Sequence, residues 1–298
     1  MYKRGVRWLL ILLLPAILVA CQYQDSEAQF SGSRALAHVE EQCAFGPRPV
    51  GSEANAKTAA YIEKVLRTSG WEVEKQEFAH QGLQVRNVIG KKGQGPIILL
   101  GAHYDTRPLS DMDPTDRSKP VMGANDGGSG VAVLLELARV LDKAATGQAQ
   151  VWLAFFDAED RGELGGWDWS VGAQYMANRL DARPEYVLVV DMVGDTDQRI
   201  YYEWASSLWL QERIWGIATD LGYGEHFIPT HCCSIVDDHR PFLQQSIPAA
   251  LIIDLDYPYW HTTHDTPDKV SAESLQRVGS VLETLLEKEP FARSLNEG

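Results

Sequence analysis

Four nearly unbroken apolar runs constrain this chain more than any other feature: residues 96–103 (PIILLGAH), 149–157 (AQVWLAFFD), 185–192 (EYVLVVDM) and 248–255 (PAALIIDL). Such runs are typical of strands buried on both faces, as in a sheet covered by helices on either side. Residues 84–90 (QVRNVIG) add a strand with near alternation. Residues 33–44, 53–69, 128–142, 171–180, 207–221 and 271–287 read as helices. Pro and Gly mark a loop at 45–52 (FGPRPVGS), acidic residues fill a long loop at 105–125, and Gly and Trp a shorter one at 163–170. Alternating buried strands and helices predict a single α/β domain of three layers, with no internal repeat or low-complexity stretch.

The first twenty residues stand apart. Lys3, Arg4 and Arg7 precede 13 uncharged residues, Trp8 to Ala20, which are too few to span a bilayer comfortably and suit the core of a signal peptide. The segment ends in Leu18-Val19-Ala20-Cys21, which resembles the bacterial lipobox, whose cysteine receives a diacylglycerol and becomes the mature N-terminus. The expected division is a signal peptide at 1–20, a lipidated N-terminus and polar tether at 21–30, and a catalytic domain at 31–298. The localisation it predicts is the cell envelope, with the protein exported and held at a membrane through Cys21.

Removing residues 1–20 takes three of the 27 basic side chains and none of the 41 acidic ones, so the mature chain carries a net charge of −17. That balance argues against a nucleic-acid partner, which requires clustered Lys and Arg. Of the remaining cysteines, Cys232 and Cys233 are adjacent, and buried thiols are the expectation for both and for Cys43.

The chemistry-bearing residues fall where the strands run out. One run ends at His103-Tyr104-Asp105, a second at Asp157-Ala158-Glu159-Asp160 and a third at Asp191. A helix begins just after Asn125-Asp126-Gly127-Gly128, and Trp260-His261-Thr262-Thr263-His264-Asp265 forms a loop before the last helix. In open α/β sheets, sites lie at the carboxyl ends of strands. A single acid after a strand is ordinarily a helix cap or a solvated group; five acids and two histidines delivered to one rim are not. Mixed His and carboxylate sets suit zinc with one position left open for chemistry. There is no HExxH, no GxSxG elbow, no Walker loop and no GxGxxG after a strand.

The motifs GAHYDTRP, GANDGGSGVAVLLELARVL, FFDAED, VVDMVGD, DDHRPFLQQSIPA and WHTTHDT, in this order, resemble the zinc aminopeptidase family that also contains the animal-type glutaminyl-peptide cyclotransferases. The likeness runs from about Ala37 to the last helix. It implies an α/β/α sandwich with a mixed, mainly parallel sheet. It also implies zinc ligands at Asp126, Asp160 and His261, a catalytic acid–base at Glu159, and hydrogen-bonding acids at Asp191 and Asp237. His103 and Asp191 correspond to residues that bind a second zinc in the aminopeptidases. The family's second paired acid is usually Glu, and Asp160 is one methylene shorter. His264, the other histidine of the last loop, reads as a partly exposed side chain.

The resemblance leaves two reactions. An aminopeptidase places two zincs around a hydroxide and releases N-terminal residues. A cyclase uses one zinc and converts an N-terminal Gln of a peptide or protein to pyroglutamate, releasing ammonia. Trp260 directly before His261, the doubled acid Asp237-Asp238 before His239, and Trp167 and Trp169 as pocket walls favour the cyclase. A metal-free binding protein on the same scaffold is the third class, and the full set of ligands and base stands against it.

Overall fold

The computed structural model describes residues 29–141 and 149–288. The predicted signal segment, Cys21 and most of the tether lie outside the described residues. The fold begins with α1 (Gly32–Ala44) and α2 (Glu53–Thr68). Ser31 and Ser52 start them, each accepting a backbone N–H of the first turn, from Arg34 and Asn55. Next come β1 (Glu72–His80), β2 (Leu83–Gly93), β3 (Ile97–His103), α3 (Ser129–Val140), β4 (Gln150–Phe156), α4 (Val171–Ala177) and β5 (Tyr186–Asp191). The chain closes with β6 (Ile200–Glu203), α5 (Leu208–Asp220), β7 (Phe227–Cys233), α6 (Arg240–Gln244), β8 (Ala249–Ile253) and α7 (Ala272–Lys288).

Six strands form one sheet in the order β1-β2-β4-β3-β5-β8. β4, β3, β5 and β8 are parallel neighbours, while β1 and β2 run antiparallel at one side. Each central strand divides its side chains between two cores. Ile98, Leu100 and Ala102 of β3 and Leu188 and Val190 of β5 pack toward α1, α2, α3, α5 and α7. Ile97, Leu99, Val187 and Val189 pack toward α4 and α6. That two-sided burial is why these runs carry polar residues only at or next to their ends, and the architecture is the expected mixed, mainly parallel three-layer sandwich in a single domain. Among the described residues no helix is long and apolar enough to cross a membrane.

Several elements depart from the expectation. β1 (EVEKQEFAH) is a half-exposed edge strand, so it has no apolar run to mark it. β6 and β7 pair in a separate two-stranded parallel sheet with register shifts, and β7 is likewise partly exposed. Cys232 and Cys233 lie on that exposed strand and are joined to each other, rather than being buried thiols. Cys43 is a half-buried free thiol. Phe30 is not part of a polar tether: its ring is buried against Gly279 of α7, and its N–H donates to the Glu283 carboxylate at 3.1 Å.

α3 crosses the ends of β3 and β5 closely because of Gly130. A Cβ there would sit 2.1 Å from the Val190 carbonyl oxygen and 3.1 Å from Ala102 Cβ. Gly130→Ala would push the helix off the sheet and should cost about 1–3 kcal/mol, the usual penalty for overpacking. Thermal denaturation should then show a melting temperature lower by about 2–4 °C for each kcal/mol lost; an unchanged midpoint would disprove the close approach.

Candidate active site

From β3 the chain proceeds to β4 on one side of it, whereas from β5 it proceeds to β8 on the other. The crevice at the carboxyl ends of β3 and β5 is therefore the switch point at which α/β sheets build sites. His103 is the last residue of β3 and Asp191 the last of β5, and His103 Nε2 lies 3.0 Å from Asp191 Oδ1. Asp126, in the turn before α3, brings Oδ1 to 3.2 Å from the same nitrogen. Its Oδ2 lies 3.7 Å from Nε2 of His261. Asp160, beyond β4, reaches that His261 nitrogen at 3.0 Å. The shorter side chain at 160 therefore still arrives in the cluster.

Buried acids hold the backbone that carries these groups. The Asp105 carboxylate accepts the N–H groups of Glu159 and Asp160 at 3.0 and 3.1 Å. Asp265 accepts those of Asn125 and Asp126 at 2.8 and 3.1 Å, and the hydroxyl of Tyr257 at 2.6 Å. Of the seven described non-glycine residues with positive φ, four are at the site: Ala158 (61°), Ser170 (57°), Met192 (43°) and His261 (55°). Such conformations cost about 1–3 kcal/mol each and persist where the surroundings force them. Asp105 and Asp265 stand within the strand-end and last-loop motifs, but nothing in the sequence assigns them this anchoring role. Their only signal is their place, two residues beyond His103 and four beyond His261.

Two groups of three share Asp126: His103, Asp126 and Asp191, and Asp126, Asp160 and His261. Within each group the potential ligand atoms lie within 4.8 Å of one another. Asp126 Oδ2 and both Asp160 oxygens are buried without a hydrogen-bond partner. Buried polar atoms are ordinarily satisfied, so these orphaned oxygens beside an imidazole nitrogen fit a cation, and the N/O donor set fits zinc.

Burial pushes the Asp160 carboxyl up to about 6, reinforced by Asp126. Burial likewise raises Asp191, against the opposing pull of His103. Asp126 is instead held low: burial would raise it, but His103, His261 and Arg107 outweigh that. Both histidines are raised against burial, His103 by Asp191 above all and His261 by Asp160.

Glu159 opens into a cavity of about 270 Å³ that Asp191, Asp237, Trp169, Trp260 and His261 also line. Burial pushes its carboxyl well above the usual range; His103 opposes this and Asp237 and Asp238 add to it. Ser170 Oγ donates to Glu159 Oε1 at 3.2 Å. Burial and then Asp191 push Asp237 up to about 7. The Trp260 ring stacks on His261 at 3.8 Å between centroids, and the Trp169 ring lies nearly parallel to it at 6.2 Å. Trp167 does not line this cavity. It is buried with Val50, Val85, Ala158 and Val171 and meets His80 edge-on, because the loop turns its side chain inward. His264 is exposed, as expected. Ser234, Ile235 and Val236, from the segment after β7, complete a wall that no sequence motif marked.

Residues 87–286 match the family model described as Peptidase family M28. A Zn-dependent exopeptidase from Parabacteroides distasonis superposes with a TM-score of 0.83 at 33% identity, covering 88% of this chain and 100% of that one. A glutaminyl cyclase from Tannerella forsythia does so with a TM-score of 0.81 at 34% identity, over 88% and 100%. The glutaminyl-peptide cyclotransferase-like protein of Bos taurus is 24% identical over 278 residues, 80% of this chain and 71% of its own. The resemblance read from the six motifs therefore holds over fold and sequence alike, and the chain belongs to peptidase family M28.

Proposed function

We propose that the protein is a glutaminyl-peptide cyclotransferase, converting an N-terminal Gln of peptides or proteins to pyroglutamate with release of ammonia. The observation that carries this reading is the small cavity walled by Trp169 and Trp260 above His261, with Glu159 opening into it. At about 270 Å³ it is smaller than most ligand pockets, which run to about 300–1,000 Å³, and so suits one folded-back side chain. The likeness to bacterial glutaminyl cyclases supports it.

Asp126, Asp160 and His261 would hold the zinc, which when bound supplies Lewis-acid polarisation of the substrate's γ-carboxamide. The two indole rings orient the carboxamide and exclude water that would compete as nucleophile. The substrate's own α-amine attacks Cδ, so proximity is already provided. Glu159 accepts the proton of the attacking nitrogen and returns it to the departing one as the Cδ–N bond breaks and ammonia leaves. With Ser170 on its Oε1, Glu159 keeps Oε2 for that transfer. Asp191 and Asp237 line the same cavity and keep the proton within it.

The complete second group at His103, Asp126 and Asp191 favours a second reading, a two-zinc aminopeptidase. Mass spectrometry separates the two. A Gln-initiated peptide should lose only ammonia and a Leu-initiated peptide should be untouched; loss of whole residues from both would replace the first reading by the second. Glu159→Gln keeps the size of the side chain but cannot shuttle a proton. Turnover should fall by about 10²–10⁴-fold, the usual contribution of general acid–base catalysis, with bound zinc unchanged; near-normal turnover would remove Glu159 from that role.

We further propose, from the leader-like segment and Cys21, that the protein is a bacterial lipoprotein, exported and anchored to the membrane on its periplasmic or extracellular face. Intact-mass measurement of native material should give a chain starting at an acylated Cys21, and a retained Met1 would refute this.

A further inference from the structure

The loop between β3 and α3 contains no helix or strand, yet three of its consecutive residues hold the His261 segment. Asp111 Oδ1 lies 3.2 Å from His261 Nδ1. The N–H of Met112 donates to the His261 carbonyl at 3.2 Å. Asp113 accepts both the N–H and the hydroxyl of Thr263, at 2.9 and 2.5 Å. Arg107 in turn holds Asp111 by two hydrogen bonds, Nε to Oδ1 at 2.9 Å and Nη2 to Oδ2 at 2.6 Å. The same guanidinium donates to the carbonyl of Gly162 at 3.0 Å and lies 5.0 Å from the Trp169 ring centroid. Side chain, carbonyl and following backbone of His261 are thus each fixed from one loop, about a residue whose φ of 55° is otherwise unfavourable.

His261 turns Nε2 toward Asp126 and Asp160, so Nδ1 is the nitrogen left to be oriented. A carboxylate at Nδ1 favours the ring proton there and leaves the Nε2 lone pair facing the two acids. Partners of this kind fix the tautomer and orientation of metal-binding histidines. We infer that Asp111, clamped by Arg107, is a positioning residue that presents His261 Nε2 to the zinc. This rests on the assignment of His261 as a ligand in the preceding section, but on neither of the two reactions considered there.

The test compares Asp111→Ala, Asp111→Asn and His261→Ala in the full-length protein by competition for zinc with a chelator, by melting of the zinc-free proteins, and by visible spectra of the cobalt-substituted proteins. Asp111 is partly exposed, its side chain 36% accessible, but its partner Arg107 is buried, so melting of the zinc-free variants separates any loss of stability from loss of zinc affinity. Loss of a partner of this kind typically weakens metal binding about 10–100-fold. We expect that loss for Asp111→Ala, a smaller one for Asp111→Asn, whose amide oxygen can still face Nδ1 without the charge, and an altered cobalt spectrum for both. Parental zinc affinity and spectrum in both Asp111 variants, with zinc lost from His261→Ala, would overturn the inference and leave the ligand assignment standing. Zinc retained by His261→Ala would overturn the ligand assignment and this inference with it.

Discussion

An isolated ionised carboxylate is strongly disfavoured in a medium of low dielectric, yet Asp105, Asp126, Glu159, Asp160, Asp191, Asp237 and Asp238 are all buried. Their mutual repulsion must be relieved, and the surrounding structure shows three means. Backbone N–H groups satisfy Asp105. The imidazoles of His103 and His261 sit between acid pairs. The oxygens of Asp126 and Asp160 that neither route satisfies suit a bound cation. Asp126 is the hinge of the arrangement because it belongs to both candidate metal groups.

That concentration of acids dictates how the chain is laid around it. Two of the side chains, His103 and Asp191, come from strand ends, which the hydrogen-bonded sheet holds rigidly. Asp126, Asp160 and His261 come from loops and need separate restraint. Asp265 supplies it for Asp126, Asp105 for Asp160, and the segment from Arg107 to Asp113 for His261. The close seat of α3 on Val190 belongs to the same design, since it sets the distance from Asp126 to His103 and Asp191.

The candidate metal groups form the floor of the cavity, which Asp126, Asp160, Asp191 and His261 line. Its walls come from Trp169, Trp260 and residues 234–236, all in loops or beyond the small sheet. The solved relatives include both exopeptidases and glutaminyl cyclases.

The sequence by itself determined the layered sheet and most of the acid cluster. Strands β3, β4, β5 and β8 are buried on both faces, which confines polar residues to their ends and makes them visible as runs. His103, Glu159, Asp160 and Asp191 are legible because they follow those runs, where a sheet of this kind must place its site. Only the tertiary structure decided the rest. β1 and β7 bury too little to leave an apolar signature, β6 is only four residues long, and Phe30 is covered by a helix some 250 residues away. Trp167 and Trp169 are two positions apart in one loop, and the path of the backbone alone turns one into the core and the other into the cavity. Asp111 looked like one more acid in an acidic loop. What distinguishes it is contact with a histidine 150 positions later, and no local pattern can encode contact across that distance.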